Sequence, residues 1–181
     1  MDSIEIDILI DTIVGEVQQA LRNGDLPAVA ILEGDPSREH SFADYLRDRD
    51  KAALYERRLA AEVHSMRLDR LALAVPMIAT PLPAVDEDSI RFRSPHSGPL
   101  RDDHNEQTVI YWMVYDTEEG VSYGMTPYSH NPDGTYTFGL DGDPRDVVTI
   151  AVTPAHTAPG MTLLREILDE NLHLRRPDAS S

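Results

Sequence analysis

The stretch Gln107–Asp116 reads QTVIYWMVYD. In an extended chain Val109, Tyr111, Met113 and Tyr115 share one face, and Ile110, Trp112 and Val114 share the other. Both faces are apolar. The segment is therefore expected to be a central strand covered on each side, or covered once and used as an interface on its other side. Towards the C-terminus, Thr117-Glu118-Glu119-Gly120 makes a tight connection to a one-sided strand, in which Val121, Tyr123 and Met125 alternate with Ser122, Gly124 and Thr126. Asn131-Pro132-Asp133-Gly134 is a type I turn signature, with proline pre-set at the second position and glycine last. Thr135–Leu140 is the return strand. Asp141-Gly142-Asp143-Pro144 marks a further turn, and Val147–Val152 a β-branched strand. Gly160–His173 closes the chain as an amphipathic helix lined by Leu163, Leu164, Ile167, Leu168 and Leu172.

Towards the N-terminus, Leu71–Ala79 is a nearly all-apolar strand in which Pro76 points to an edge or a bulge. Between Thr80 and Glu106 runs a proline- and charge-rich connection whose strand candidate is Ser89–Arg93. A connection of this length is expected to be a functional or a mobile loop. Ser41 to Arg67 reads as a long helical region that Asp48–Asp50 would divide. Tyr55, Leu59, Val63 and Met66 form its apolar face, Glu56, Arg57, Arg58, Glu62 and Arg67 lie on the other face, and the alternating signs of Asp44, Arg47, Asp48, Arg49, Asp50 and Lys51 read as solvated. Leu26–Leu32 fits a short strand or a packed turn. Ser3–Arg22 carries two patterns, an alternation of Ile4, Ile6, Ile8 and Ile10 and a longer helical repeat of Ile6, Ile10, Ile13, Val14, Val17 and Leu21. The longer match favours a helix, stopped by Asn23-Gly24.

Helices first, then a run of strands, then one helix argue for an α+β fold. The expectation is a mostly antiparallel sheet of about five strands, with N-terminal helices and a C-terminal helix packed on it. Residues 1–176 would form a single domain: 1–68 mainly helical, 69–155 the sheet part with a long loop at 80–106, and 159–174 the C-terminal helix. Residues 177–181 would be a loose tail.

The 181 residues carry 16 Lys+Arg against 32 Asp+Glu, a formal charge of -16. Such a surface repels phosphate backbones and anionic lipid, so neither nucleic acid nor membrane is expected as a partner. Basic protein partners, or a DNA-mimic inhibitor role, fit the same charge. With no cysteine, disulfides, thiolate metal sites and thiol nucleophiles are excluded. The start Met1-Asp2-Ser3-Ile4-Glu5 lacks a basic leader, and no apolar run reaches spanning length. A cytoplasmic protein is the expectation.

Phosphate-loop, GxSxG and HExxH patterns are absent from the sequence, and no cofactor is implied. The 96–106 loop holds Asp102, Asp103, His104 and Glu106, with His96 nearby. In extended chain Asp102, His104 and Glu106 would point one way and share a divalent metal. Alternatively, His104 would act as a base with Asp103 and Glu106 as partners. Asp141, Asp143 and Asp146 offer oxygen ligands for calcium, although the full EF-hand loop is missing. Tyr123, Tyr128, His130 and Tyr136 lie along or beside one hairpin and are candidates for a recognition surface. Together these features favour a non-catalytic binding or assembly module acting through protein contacts, self-association included. The alternative is a small hydrolase or metal-dependent enzyme with its site in the 96–106 loop.

Overall fold

A computed structural model describes residues 2–80, 89–139, 153–154 and 158–174. Helix α1 spans Asp2–Arg22. Its inward residues Ile6, Leu9, Ile10, Ile13, Val14, Val17 and Leu21 are all buried, so the helical repeat prevails over the shorter isoleucine alternation. The helix closes as a Schellman motif. Gly24 sits at φ 82°, the Asp25 amide donates to the Ala20 carbonyl, and the Gly24 amide donates to the Leu21 carbonyl.

Strands β1 (Ala28–Asp35) and β2 (Arg38–Phe42) then form an antiparallel hairpin. The segment before residue 68 is thus less helical than its sequence implies, and the helical region expected from Ser41 begins later. A single 3-10 turn at Tyr45–Arg47 precedes helix α2, Arg49–His64. Asp48 sets that boundary, because its carboxylate accepts the Asp50 amide at 2.8 Å and caps the helix. Strand β3 covers Arg67–Thr80, β4 Ser89–Arg93, β5 Gln107–Asp116, β6 Gly120–His130 and β7 Tyr136–Phe138. Two residues, Thr153–Pro154, form β8, and helix α3 runs Met161–Leu174.

The main path of the sheet is β2-β1-β3-β5-β6-β7, with β4 beside β3 and β8 beside β4. Among the described residues every pairing is antiparallel except β4 with β8. One edge of β3 pairs with β1 as far as Ala74 and with β4 from Ile78 onwards. Pro76 falls in the interval between these two ladders, where no donor is required, and faces Ile110 of β5 across its other edge.

Strand β5 lies between β3 and β6, and both of its faces are covered by helices of the same chain. Helix α1 packs on Ile110, Trp112 and Val114. Helices α2 and α3 pack on the side of Val109, Tyr111, Met113 and Tyr115. The result is a three-layer α+β arrangement with an apolar core on each side of the sheet. An exposed sheet face as a self-association surface is therefore not available at β5.

Arg70 ties the layers together. Its guanidinium donates to Glu5 of α1, to Glu33 of β1 at 3.2 Å and to Asp116 of β5 at 2.9 Å. Burial pushes the Asp116 carboxyl up, but the Glu119 and Glu118 amides and Arg70 outweigh it and hold it below its usual range.

Glu56 corrects the reading of α2's charged face. It is 4% exposed, because the start of α3 packs over it. Its carboxylate caps α3 from the neighbouring helix: Oε1 accepts the Gly160 amide at 3.0 Å and Oε2 the Leu163 amide at 2.8 Å. The Tyr45 hydroxyl donates to Oε1 at 2.5 Å. Burial, followed by the Glu56 charge, pushes the Tyr45 hydroxyl pKa well up.

Candidate functional site

The loop after β4 is organised by Arg93. Its Nε and Nη2 clamp the Glu106 carboxylate at 2.8 and 2.6 Å. The remaining donors reach the Ser97 hydroxyl and the carbonyls of Gly98 and Pro99 at 2.8, 3.1 and 2.7 Å. Glu106 also accepts the Arg101 amide at 2.7 Å, and its side chain is 2% exposed. The loop is thus folded around one bidentate ion pair.

That arrangement separates the residues expected to act together. Asp102–His104 forms a 3-10 turn, and Asn105 follows at φ 51° in the left-handed region. The expectation that Asp102, His104 and Glu106 share a direction assumed extended chain, and the turn removes it. His104 is exposed and pairs through Nδ1 with Asp103 at 2.8 Å. This bond is the main cause holding the Asp103 carboxyl below its usual range. Glu106 faces inward to Arg93 instead. Among the described residues, no three His, Asp or Glu side chains converge as a metal site. His96, in the 3-10 turn Pro95–Ser97, is exposed. The calcium candidates Asp141, Asp143 and Asp146, the strand expected at Val147–Val152 and the tail 177–181 lie outside the described residues.

The Arg93–Glu106 pair has a measurable pH signature. Arg93 lowers the Glu106 pKa from the ordinary 4.5 to about 2. A depressed folded-state pKa contributes stability above the unfolded value and loses it as pH falls through the folded one. Glu106→Gln is therefore expected to be less stable than the wild-type chain at neutral pH. The gap should close as pH falls from about 5 towards 2. Urea denaturation across that range checks this, and a gap independent of pH would contradict it.

The hairpin candidates divide between the two faces of the sheet. Tyr123 is half-buried against the α2 and α3 side, where burial pushes its hydroxyl up. Tyr128 is buried on the α1 side, so Tyr123 does not join the others. Tyr128, His130 and Tyr136 do come together. The His130 ring stacks on Tyr136 at 4.7 Å between centroids. Tyr136 continues to Phe138 at 6.1 Å, and Tyr128 tilts against Tyr136 at 6.1 Å. Arg22, at the end of α1, places its Cζ 5.0 Å from the centre of the Phe138 ring. The turn beneath is fixed locally. Asn131 Nδ2 donates to the Thr135 and Thr137 hydroxyls at 3.0 and 2.9 Å, and Asp133 accepts the Thr135 amide at 2.9 Å. His130 is exposed and Tyr136 half-buried, so the outer end of the stack meets solvent above this hydrogen-bonded turn.

A cleft of about 380 Å³, which no sequence motif marks, opens between α2, the loop after β4 and the start of α3. Leu46, Met77 and Phe92 give it apolar walls, Arg49 and Thr162 add polar groups, and Glu56 lines it too. The side chains of Ser94, Ser97 and Glu56 there are already engaged. Ser94 donates to the Leu46 carbonyl at 2.7 Å, and Ser97 donates to the Ser94 carbonyl at 2.6 Å while accepting from Arg93. Glu56 accepts from three donors. Neither His104 nor Asp103 lines the cleft. One sequence signal does single out Glu56: it lies on the helical stripe of Ala52, Leu59, Ala60 and Val63, an acid among inward-facing residues.

No helix among the described residues is long and apolar enough to cross a membrane. In comparisons with known proteins, no family model, no curated protein and no solved structure matches this chain.

Proposed function

We propose that this chain is a non-catalytic binding or assembly module, acting through protein–protein contacts made by its β6–β7 hairpin. The observation that carries the reading is the ring stack of His130, Tyr136 and Phe138, anchored by buried Tyr128 and by Arg22. Aromatic side chains held rigid at a surface supply contact area at little entropic cost, and Tyr and His each add a polar tip for orientation. The placement of His104 and Glu106 supports the same reading. The first is paired with Asp103 within an exposed turn, and the second is held in an internal ion pair. The acidic surface keeps the chain soluble and steers basic partners towards it.

The double substitution His130→Ala/Tyr136→Ala tests the assignment. The wild-type chain in native cell extract is expected to elute in size-exclusion chromatography well ahead of its own 20.2 kDa, with either a second copy or another protein. The double variant is expected to return to the monomer position while staying folded, with a modestly lowered melting temperature because Tyr136 packs on Tyr128 and Phe138. Co-elution that is equal for both proteins would contradict the hairpin as the contact surface.

A further inference from the structure

The outward side of α1 presents a second surface, separate from the hairpin. Ile4 and Ile8 stand 66% and 60% exposed. At 100° per residue they share one face, a sector of about 80°, with Thr12 and Gly15. The Thr12 hydroxyl donates to the Ile8 carbonyl of its own helix at 2.7 Å, which leaves its methyl as the outward group. Among the described residues a methyl added at Gly15 would meet nothing within 4 Å, so their packing does not require glycine there. Glycine is also the less favourable residue in mid-helix. The stripe thus offers two large apolar knobs followed by a flat step.

Along residues 4–16 its flanks carry a single sign, and exposed Arg22 stands at the far end of the same face, over the Phe138 ring. Exposed Asp7 and Asp11 border it on one side, and exposed Glu5 and Glu16 on the other. Of these, Glu5 is paired with Arg70. Pairing the stretch 4–16 with its own copy, in either direction, would set carboxylates against carboxylates, which disfavours a second copy of this chain as the occupant. Charge complementarity instead selects a cationic partner, and a narrow apolar stripe along a helix is the kind of surface on which the apolar stripe of a second helix packs. We propose that this face of α1 docks a basic amphipathic helix of another protein, with Ile4 and Ile8 in its apolar seam and Asp7, Asp11 and Glu16 facing its Lys or Arg residues. Because the hairpin is not part of this surface, either assignment can fail without the other.

The probe is a synthetic amphipathic helical peptide with leucines along one stripe and lysines on both flanks, alongside a twin with glutamates for the lysines. Titration by calorimetry is expected to show binding of the lysine peptide only. Ile4→Ser/Ile8→Ser should weaken it about tenfold or more with an unchanged melting curve, since both side chains are already exposed. Asp7→Asn/Asp11→Asn/Glu16→Gln should weaken binding and flatten its salt dependence. Glu118→Gln/Glu119→Gln, in the β5–β6 turn, should leave it unchanged. No binding overturns the proposal. So does equal binding to the Ile4→Ser/Ile8→Ser variant, which would mean diffuse attraction to an acidic protein. Self-association of the wild-type chain that the isoleucine substitutions abolish would overturn it in favour of a second copy.

Discussion

Glu56→Ala is expected to lower stability by about 3–4 kcal/mol, since it leaves three donors without their acceptor at about 1–3 kcal/mol each when buried. The Tyr45 hydroxyl and the Gly160 and Leu163 amides all end on this carboxylate. The adjoining cleft lets water reach part of the site, which places the loss near the lower end of the sum. In a chain of this size, a loss of that order lowers the melting temperature by roughly 10 °C. Glu56→Gln keeps the shape and one acceptor oxygen but turns an amide NH2 towards a donor, so about half the loss should remain. Tyr45→Phe removes a donor without leaving a buried charge unsupported by the two amides, and should cost about 1 kcal/mol. Thermal and urea denaturation of the three variants check the ranking. An alanine variant no less stable than the phenylalanine one would mean that Glu56 does not hold α2 and α3 together.

Gly124→Val carries the second large effect. Gly124 lies opposite Trp112 in the β5–β6 ladder. A side chain there would overlap the Cζ2, Cε2 and Cη2 atoms of the indole. Trp112 is fully buried beneath α1, so the ring has little room to retreat. Overpacking at such a site is expected to cost about 3 kcal/mol. A double-mutant cycle isolates the cause. Trp112→Leu destabilises by opening a cavity, yet in its presence Gly124→Val should cost much less, with a coupling of about 1–3 kcal/mol. Additive losses would show that the valine acts on the strand backbone and not on the indole.

Elements with strong periodicity are legible in the amino-acid sequence. QTVIYWMVYD carries its two-sided burial in its composition, and Ser89–Arg93 stands out within the loop as β4. Strand β2 is not legible. Arg38-Glu39-His40-Ser41-Phe42 has almost no apolar signal, because this edge strand is held by its ladder to β1 and is largely exposed. The helical region expected from Ser41 takes in its last residues, whereas the true start of α2 depends on the Asp48 cap. Glu106 departs from its expected role for a physical reason as well. Its partner Arg93 is 13 residues away in the loop, and nothing in local spacing reveals that the two close on each other. The hairpin residues are legible in part. Strand parity separates Tyr123 from Tyr128, whereas the contact of Phe138 with Arg22 depends on where α1 ends.

Site-specific photo-crosslinking tests the assignment of the hairpin most directly. His130→p-benzoylphenylalanine keeps an aromatic ring against Tyr136 and places a reactive carbonyl at the outer end of the stack. Illumination of the native extract is expected to give a discrete, saturable protein adduct, lost when Tyr136→Ala is added and absent when the same probe replaces Glu118. A smear of adducts equal at both positions, or no adduct at His130, would contradict it.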